Sequence, residues 1–411
     1  MRVLTEFFLL PSLASPSGRG RRAERAEGVS VTRSLRGPHT SLRDTLSRRG
    51  RGWRLLSAAV LCAIFGASAN AADLQPPPGY TAAVGQKKAK AFSCPAAPAP
   101  FAGTLDFPSK YEGSGKARDQ LNEGSDAKYK TLTKPITDME TGATKLVDLY
   151  MDTGQPEVLS CALQWYGGWA QARALLGPAA NHTGASMRKW SLASLSGAWL
   201  RLKFSSSRPL ASQSTQAAQI DAWLGEVADK VMTEWDLKAP LDKINNHYYW
   251  AAWSVMASSV VNNRRDQFDW AVKMYDIFAS QVDGEGYLPN EMKRESRAAG
   301  YQVYAVTPIA MIAAFGKANG VDLAATGNRA LSRAADRALT VYDDPSQYEA
   351  KTGKQQTVEG GDEQSGKLAW LEAYCWTTQC SAATIAKRDQ LRPMKNRRLG
   401  GDVTAEFRGA S

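Results

Sequence analysis

The chain is poor in histidine and cysteine and lacks the common nucleotide-binding and nucleophile motifs. Its 411 residues include three histidines and five cysteines. We find no phosphate loop, dinucleotide fingerprint, G-x-S-x-G elbow or zinc-type cysteine spacing. Asp236, Asp283, Glu285 and Glu291 are present, but no acidic pair stands out as a glycoside hydrolase would require. These absences disfavour the common nucleotide-dependent, serine hydrolase and zinc enzymes.

The excess of positive charge is confined mainly to the start of the chain. The formal net charge is +11, which would suggest a nucleic-acid partner. Residues 1–71, however, hold 12 arginines and 4 acidic residues, so a net charge of only +3 remains for the rest. A protein held by phosphate contacts would keep its positive charge in the folded part, so we expect no nucleic-acid partner.

The apolar run near the start of the chain is too short to cross a membrane. Leu55–Ala67 follows an arginine-rich stretch and precedes Ala69-Asn-Ala71, a typical signal-peptidase site. We therefore predict a signal peptide over 48–71, cleaved after Ala71, and a periplasmic protein that is not membrane-bound. A retained anchor is the alternative. Residues 1–47 do not fit a signal peptide, and indicate either a start site assigned too early or an unfolded extension.

The remaining cysteines are even in number. Cys62 lies in the predicted signal peptide, which leaves four. An even count in an exported chain predicts two disulfides, although four reduced thiols are the alternative. Of the three pairings, the local bond Cys375–Cys380 is plausible, and it leaves Cys94–Cys161.

Helical periodicity dominates the mature chain, which we interpret as one domain over 72–411. Residues 72–103 are rich in proline and read as an extended arm, and 110–134 form a polar candidate lid. From Asp138 onward apolar residues recur at helical spacing, with Pro308 inside one such segment. The prediction is an all-α fold, either a toroid of antiparallel helix hairpins around a groove or a simple bundle.

Two clusters could carry chemistry. His247 and Trp250 share a helix face, and Asn245 or Asn246 would cap that helix, although a capped core histidine is the alternative. If the segment 293–304 is helical, Arg294 and Tyr301 lie on one face, with Arg297 one turn from Tyr301. An arginine beside a phenol lowers its pKa and suits an anionic ligand, whereas a surface arginine and a core tyrosine are the alternative.

Aromatic residues are abundant by comparison. Eleven of the twelve tryptophans follow the predicted signal peptide, and most of them are expected in the core. A few that face a groove would offer flat surfaces to sugar rings. The polar neighbours of these tryptophans include 181–184, Arg188-Lys189 and Ser109-Lys110.

The chain resembles the mannuronate-specific alginate lyases of polysaccharide lyase family five. The resemblance is carried by SKYEGS, NHTGASMRKW, INNHYYWAAWSVM and GYLPNEMKRESRA, among other stretches that run in order from Ala72 to about Arg398. It implies an (α/α) toroid with a deep groove, and neither a metal nor an organic cofactor. The expected substrate is alginate, cleaved endolytically by β-elimination.

The resemblance also implies roles for particular residues. Asn246 and His247 would neutralise the uronate carboxylate, Tyr301 would be the general base and acid, and Arg294 would support both. The further substrate-binding residues predicted are Ser109, Lys110, His182, Thr183, Trp250, Arg297 and Tyr304. The Arg function remains open between Arg294 and Arg297, as does whether His182 binds substrate or caps a helix.

Other functions remain as alternatives. One is a non-catalytic alginate-binding component of a periplasmic export complex, and a lyase could itself accompany such a complex to clear stray polymer. A glycoside hydrolase on the same toroid would need two carboxylates facing the groove. The expected assembly state is a monomer.

Overall fold

The computed structural model describes residues 72–88, 90–358 and 364–409. The predicted extension 1–47 and signal peptide 48–71 lie outside the described residues. Residues 69–411 form one compact unit. The helices of the described residues are α1 Glu123–Thr153, α2 Pro156–Gln171, α3 His182–Phe204, α4 Ser214–Glu234, α5 Asn246–Asn262, α6 Arg265–Gln281, α7 Pro289–Met292, α8 Ala298–Ala318, α9 Thr326–Leu339, α10 Ser346–Thr352, α11 Gln364–Lys367, α12 Trp370–Thr377, α13 Ala382–Leu391 and α14 Val403–Glu406.

The long helices form an inner and an outer row. In the inner row α1, α3, α5, α8 and α12 pack one against the next, and α2, α4, α6 and α9 pack outside them. Nearly every residue of α3, α5 and α8 is buried, which agrees with their apolar and small residues on all faces. This is the predicted all-α toroid of helix hairpins, and the simple bundle is wrong.

The inner row is completed by a short segment near the end of the chain. Strands β1, Lys395–Asn396, and β2, Gly401–Asp402, pair antiparallel, and the turn Arg397–Leu399 between them packs on α3 and α1. The row is therefore closed by a short hairpin and its turn rather than by a further long helix. This segment brings Arg397 and Arg398 to the groove.

Helix α8 is the most apolar of the long helices. With the preceding turn it is long and apolar enough to span a membrane, but 83% of that window is buried inside the protein. The segment is therefore a core helix. The sequence also suggested that Pro308 would kink or restart this helix, but Pro308 lies inside it and the helix continues on both sides.

Two local predictions are wrong. The candidate lid 110–134 is a loop only as far as Asn122, because the Asn122 side chain accepts from the Ser125 N–H and caps helix α1 at Glu123. The segment 293–304 is not one helix. Glu295 has a φ of 48°, in the left-handed region, so α7 ends before it and α8 begins at Ala298.

The extended arm is fixed to α2. Cys94 is bonded to Cys161, and Cys375 to Cys380, which confirms the predicted pairing. The indole N–H of Trp165 donates to the Pro95 carbonyl at 3.2 Å. The arm therefore follows the surface of the domain, as its proline-rich sequence indicated.

Candidate active site

A groove of about 1100 Å³ opens on the inner helices. Asp242 is the one acidic residue among the described residues that line it. Ten lysines and arginines also line it, so the groove is strongly positive and suits a polyanionic ligand. They are Lys110, Lys116, Arg118, Lys293, Arg294, Arg297, Lys367, Lys395, Arg397 and Arg398.

All the site residues predicted from the sequence line this one groove. Helices α3 and α5 supply one wall, with His182, Thr183, Asn246 and His247 at their first turns, and with Trp250 one turn further along α5. The wall on and before α8 carries Arg294, Arg297, Tyr301 and Tyr304, and the loop before α1 carries Ser109 and Lys110. Helix starts converge on the groove because the inner helices run side by side.

His247 is held by an aromatic box at the start of α5. Its ring stacks on Trp235 with centroids 5.7 Å apart and planes 1° apart, and the ring of His182 meets it edge-on at 4.5 Å. Burial, followed by the charge of Lys189, holds the pKa of His247 well below its usual value. His247 is therefore a neutral imidazole, which can donate one N–H.

His182 is the first residue of α3 rather than its cap. The Asn181 side chain caps that helix by accepting from the Gly184 N–H at 2.8 Å. Burial, followed by Lys189 and Arg118, lowers the pKa of His182 to about 4. Two neutral imidazoles thus meet at this wall.

Asn246 is anchored by a carboxylate that the sequence did not single out. Glu291 accepts from the Asn246 backbone N–H at 2.6 Å and from its side-chain amide at 2.7 Å, and both residues are buried. Burial raises the pKa of Glu291 to about 7. The Asn246 side-chain oxygen has no partner within the described part of the chain. Glu291 therefore decides which end of the amide faces the groove.

Tyr301 lies between an arginine and a second tyrosine. The Arg294 guanidinium carbon lies 3.6 Å from the centroid of the Tyr301 ring, and Tyr111 is near enough to raise the pKa of Tyr301. Burial raises the pKa of Tyr301, and Arg294 offsets this only in part. The expected lowering of this pKa is thus present as a contribution from Arg294 but is outweighed by burial in the free protein.

The two candidate arginines differ in their contacts. Arg294 packs on Tyr301, whereas the Arg297 guanidinium lies 5.3 Å from the Tyr111 ring. Both also hold the loop before α1, since Arg294 Nε donates to the Ala117 carbonyl at 2.8 Å and Arg297 Nε to the Asp119 carbonyl at 2.6 Å. Of the two arginines, Arg294 is therefore the one placed to act on Tyr301.

Ser109 and Lys110, in the loop before α1, contact other residues of this loop and of α1. The Ser109 hydroxyl accepts from Arg118 at 2.6 Å, and Lys110 lies 3.6 Å from Asp126 and 4.8 Å from the Tyr129 ring centroid. These contacts position both side chains at the rim of the groove.

Trp250 and Tyr304 form the floor between the two walls. Trp250 is 1% exposed, its ring lies 5.0 Å from that of Tyr304, and its N–H donates to the Tyr304 carbonyl at 3.1 Å. The Tyr304 hydroxyl accepts from Arg398 at 2.7 Å. Little of Trp250 is left to contact a ligand, so its role is to support Tyr304.

Sequence reasoning missed several residues that the fold brings to the site. Glu291 and Tyr111 lie in the stretches GYLPNEMKRESRA and SKYEGS, and Arg118 follows the second, but none of the three was predicted as a site residue. Lys189 was noted merely as a polar neighbour of tryptophans. The pair Arg188-Lys189 beside Trp190 and a run of small and apolar residues is a signal that could have found Lys189. In the described residues, no group of three or more histidine, cysteine or acidic side chains is placed to hold a metal ion.

Comparisons with known proteins identify relatives of this chain. The family model described as alginate lyase matches residues 106–348. The chain is 50% identical to an alginate lyase of Pseudomonas aeruginosa over 352 residues, covering 86% of this chain and 95% of the relative. It is 49% identical to an alginate lyase of Cobetia marina over 355 residues, covering 86% and 94%.

Solved structures share the fold. The crystal structure of alginate lyase A1-III from a Sphingomonas species aligns with a TM-score of 0.64 and 22% identity, covering 81% of this chain and 91% of that one. A variant of alginate lyase A1-III complexed with a tetrasaccharide aligns with a TM-score of 0.65 and 22% identity, covering 81% and 90%. At this identity the likeness establishes the architecture alone. The family match and the close relatives together show that this chain belongs to the alginate lyase family.

Proposed function

We propose that this alginate lyase cleaves mannuronate-rich alginate endolytically by β-elimination in the periplasm. The observation that carries the proposal is the pairing of Tyr301 and Arg294 on one wall with Asn246 and His247 on the other, in a groove with ten cations and a single acidic residue among the described lining residues. A polyuronate has one carboxylate per sugar, so such a groove attracts it along its length.

The reaction begins at the C5 proton of the uronate. This proton is a weak acid until the neighbouring carboxylate is neutralised, because its removal leaves a dianion. The neutral imidazole of His247, the amide of Asn246 and the guanidinium of Arg294 would donate to that carboxylate and stabilise the developing charge. In this role Asn246 must turn its amide nitrogen to the groove, which protonation of Glu291 would favour.

Tyr301 would carry the proton. As phenolate it takes the C5 proton, the electron pair forms the C4–C5 double bond, and the bond from C4 to the glycosidic oxygen breaks. Tyr301 then delivers the same proton to that oxygen. In mannuronate the C5 proton and the C4 oxygen lie on the same face of the ring, so a single side chain can serve both. The products are a new reducing end and an unsaturated non-reducing end.

The phenolate must form in spite of the raised pKa. Burial raises the pKa of Tyr301, whereas Arg294 stacked on its ring lowers it. A substrate that displaces the Tyr111 phenol from Tyr301 would remove one further contribution that raises this pKa. Because an unneutralised anion beside the phenol would raise its pKa again, the substrate carboxylate must be neutralised by His247 and Asn246 as well as by Arg294.

Location and biological role rest on other features. Two disulfides suit an exported protein, and the predicted signal peptide over 48–71 would direct it to the periplasm. There a monomeric lyase would clear stray polymer during alginate biosynthesis and export, either alone or with the export complex. An N-terminus at Ala72 in the protein recovered from periplasm tests this placement.

The residues that line the groove distinguish a lyase from the two alternative functions. A glycoside hydrolase would need two carboxylates facing the bond, and Asp242 alone among the described residues offers one. A non-catalytic alginate-binding component of an export complex would need the cationic groove but not Tyr301 beside Arg294. Both tyrosine and arginine are present and in contact, which favours the enzyme.

The test compares two polymers. Purified protein is mixed with polymannuronate or with polyguluronate, and the ultraviolet absorbance of the unsaturated uronate is followed with time. We expect a fast rise and falling viscosity with polymannuronate, and a much slower rise with polyguluronate, whose C5 proton and C4 oxygen lie on opposite faces. Equal rates on both polymers would contradict the mannuronate specificity, and no rise on either would contradict the enzyme.

A further inference from the structure

Lys189 is a buried cation without an acidic partner. It lies in α3, its side chain is fully buried, and no carboxylate of a described residue lies within ion-pair distance. Its Nζ is 3.5 Å from the centroid of the Trp235 ring and 3.3 Å from Ser186 Oγ. A buried, unpaired ammonium is costly for stability, so this position calls for a functional explanation.

The one titratable group that Lys189 contacts is His247. Lys189 Nζ lies 2.9 Å from Nδ1 of His247. An ammonium has three donors and no acceptor, so at this distance Nδ1 must accept. An N–H on Nδ1 would point directly at another N–H. When Lys189 carries its charge, the proton of the neutral imidazole is therefore on Nε2.

The surrounding aromatic rings fix this arrangement. The Trp235 face lies against both the Lys189 ammonium and the His247 ring, so it stabilises the cation and prevents the imidazole from turning. The Ser186 hydroxyl, 3.1 Å from Nδ1, can donate to the same nitrogen or accept from Lys189. Nε2 makes no hydrogen bond to another described residue, and His247 lines the groove.

We propose that Lys189 is a positioning residue that holds His247 in the Nε2–H tautomer, so that this N–H points at the uronate carboxylate. The catalytic part of this inference rests on the proposed function, whereas the tautomer is a property of the free protein. With the opposite tautomer the Nε2 lone pair would face the carboxylate and repel it. Lys189 thus selects one of the two possible tautomers of His247, and this fixes the direction in which the imidazole donates.

The competing arrangement is a neutral lysine that accepts from His247. Burial, followed by the charge of Arg398, holds the pKa of Lys189 well below its usual value. If Lys189 were neutral, its lone pair could accept from Nδ1–H, and the tautomer would be reversed. The two arrangements place the proton on different ring nitrogens, so they are directly distinguishable.

The experiment is nitrogen-15 NMR of the free protein labelled at histidine. The chain has three histidines, and a His247→Ala variant identifies the signals of His247. Correlations of the ring nitrogens with the carbon-bound protons show which nitrogen is protonated. We expect the Nε2–H pattern in the wild type at neutral pH. An Nδ1–H pattern in the wild type overturns the proposal, whatever the activity.

The companion variant is Lys189→Met, which keeps the length of the chain and removes the donor. We expect its His247 to show a mixture of tautomers or the Nδ1–H form, and kcat on polymannuronate to fall about 10²–10³-fold, as when one donor to a developing oxyanion is lost. KM should change far less, because the loss is greatest in the transition state. An unchanged Nε2–H pattern in Lys189→Met overturns the proposal even if activity falls.

Matched controls separate this inference from the proposed function. Lys87→Met removes an exposed lysine paired with Asp152 on the surface, and should change neither the tautomer nor kcat. Ser186→Ala removes the other polar neighbour of Nδ1, and should leave the Nε2–H pattern in place. If the wild type releases no unsaturated uronate, the proposed function fails while the tautomer is still read. If Lys189→Met does not fold, the wild-type spectrum alone decides.

Discussion

Two parts of the molecule bury positive charge, and they treat it in opposite ways. Away from the groove, Arg201 forms a buried salt bridge with Asp148. At the groove, Arg294 bonds to a loop carbonyl and stacks on Tyr301, and Lys189 contacts a histidine and a tryptophan ring. The first cluster is neutralised by the protein. The second remains positive until an anion enters.

The difference shows which buried charges serve stability and which serve binding. A buried ion pair matters for stability mainly because removing one partner leaves the other charge buried and unpaired, which is strongly destabilising. A cation packed on aromatic rings and carbonyls keeps its field for a ligand. Glu291 is a buried acid near the groove, but it does not pair with the groove's cations, because burial raises its pKa to about 7 and it hydrogen-bonds to Asn246. Substitutions at the two clusters should therefore have separable effects.

The largest expected effect is at Tyr301. Tyr301→Phe keeps the ring that Arg294 packs on but removes the oxygen that would carry the proton. We expect kcat to fall by about 10³–10⁴-fold, the upper range for loss of a general acid and base, while the affinity for polymannuronate stays near that of the wild type. Steady-state kinetics and calorimetric binding measure the two quantities.

Tyr304→Phe is the matched control for that variant. Its hydroxyl accepts from Arg398 and is not placed beside Arg294. We expect a loss of tenfold or less, as for a hydrogen bond to a charged group. Equal losses in the two variants would show that the phenols act through packing rather than through proton transfer.

The comparison of the two clusters is sharpened by a pair of arginine variants. Arg294→Gln should lower kcat about 10²-fold, because one charged donor is lost, while the melting temperature changes little. Arg201→Gln should lower the free energy of unfolding by about 1.5–3 kcal/mol, because a buried charged hydrogen bond is lost while Asp148 keeps Lys395 as a partner. Kinetics and thermal denaturation of both variants check this, and the account is wrong if the two effects are exchanged.

A smaller effect is the pH dependence of stability beneath the toroid. Burial raises the pKa of Glu406 to about 8, and the Tyr80 hydroxyl donates to it at 3.0 Å. The folded pKa lies above that of the unfolded chain, so the folded state binds more protons between them. The contribution of Glu406 to stability is full below about pH 4.5 and falls as pH rises to about 8, by at most about 1.4 kcal/mol per pH unit.

Glu406→Gln removes the ionisation but keeps an oxygen for Tyr80. We expect denaturant unfolding of this variant to show a flatter loss of stability between pH 5 and about pH 8 than the wild type shows. Parallel curves for the two proteins would contradict the assignment. Activity per folded molecule should be unaffected, since Glu406 lies away from the groove.

Much of the fold could be predicted because it rests on local patterns. Apolar residues at helical spacing predicted the helices of the mature chain, and of the two candidate caps it is Asn245 that caps α5, accepting from the His247 N–H at 3.0 Å. The proline-rich arm could be predicted from composition alone. The wrong boundaries have local causes, namely the capping of α1 by Asn122 and the left-handed φ of Glu295.

The candidate site was predicted by resemblance, and its supporting residues were not. No spacing in the sequence places Lys189 beside His247 or Glu291 beside Asn246, because each pair joins helices or turns that are distant in the chain. Periodicity reports which face of a helix is buried, but not which residue of another helix lies against it. The sequence also predicted a lowered pKa for Tyr301, whereas burial raises it, because burial depends on tertiary contacts that periodicity does not report.

The most direct test of the account is whether the groove binds carboxylates or merely sugars. The inactive Tyr301→Phe variant is titrated by calorimetry with a mannuronate oligomer and with a mannose oligomer of the same linkage and length, which lacks the carboxylates. The account predicts that the mannuronate oligomer binds, more weakly as salt is raised, and that the mannose oligomer binds at least about 10²-fold more weakly. Equal affinity for the two would contradict it, because the unneutralised cations would then have no part in binding.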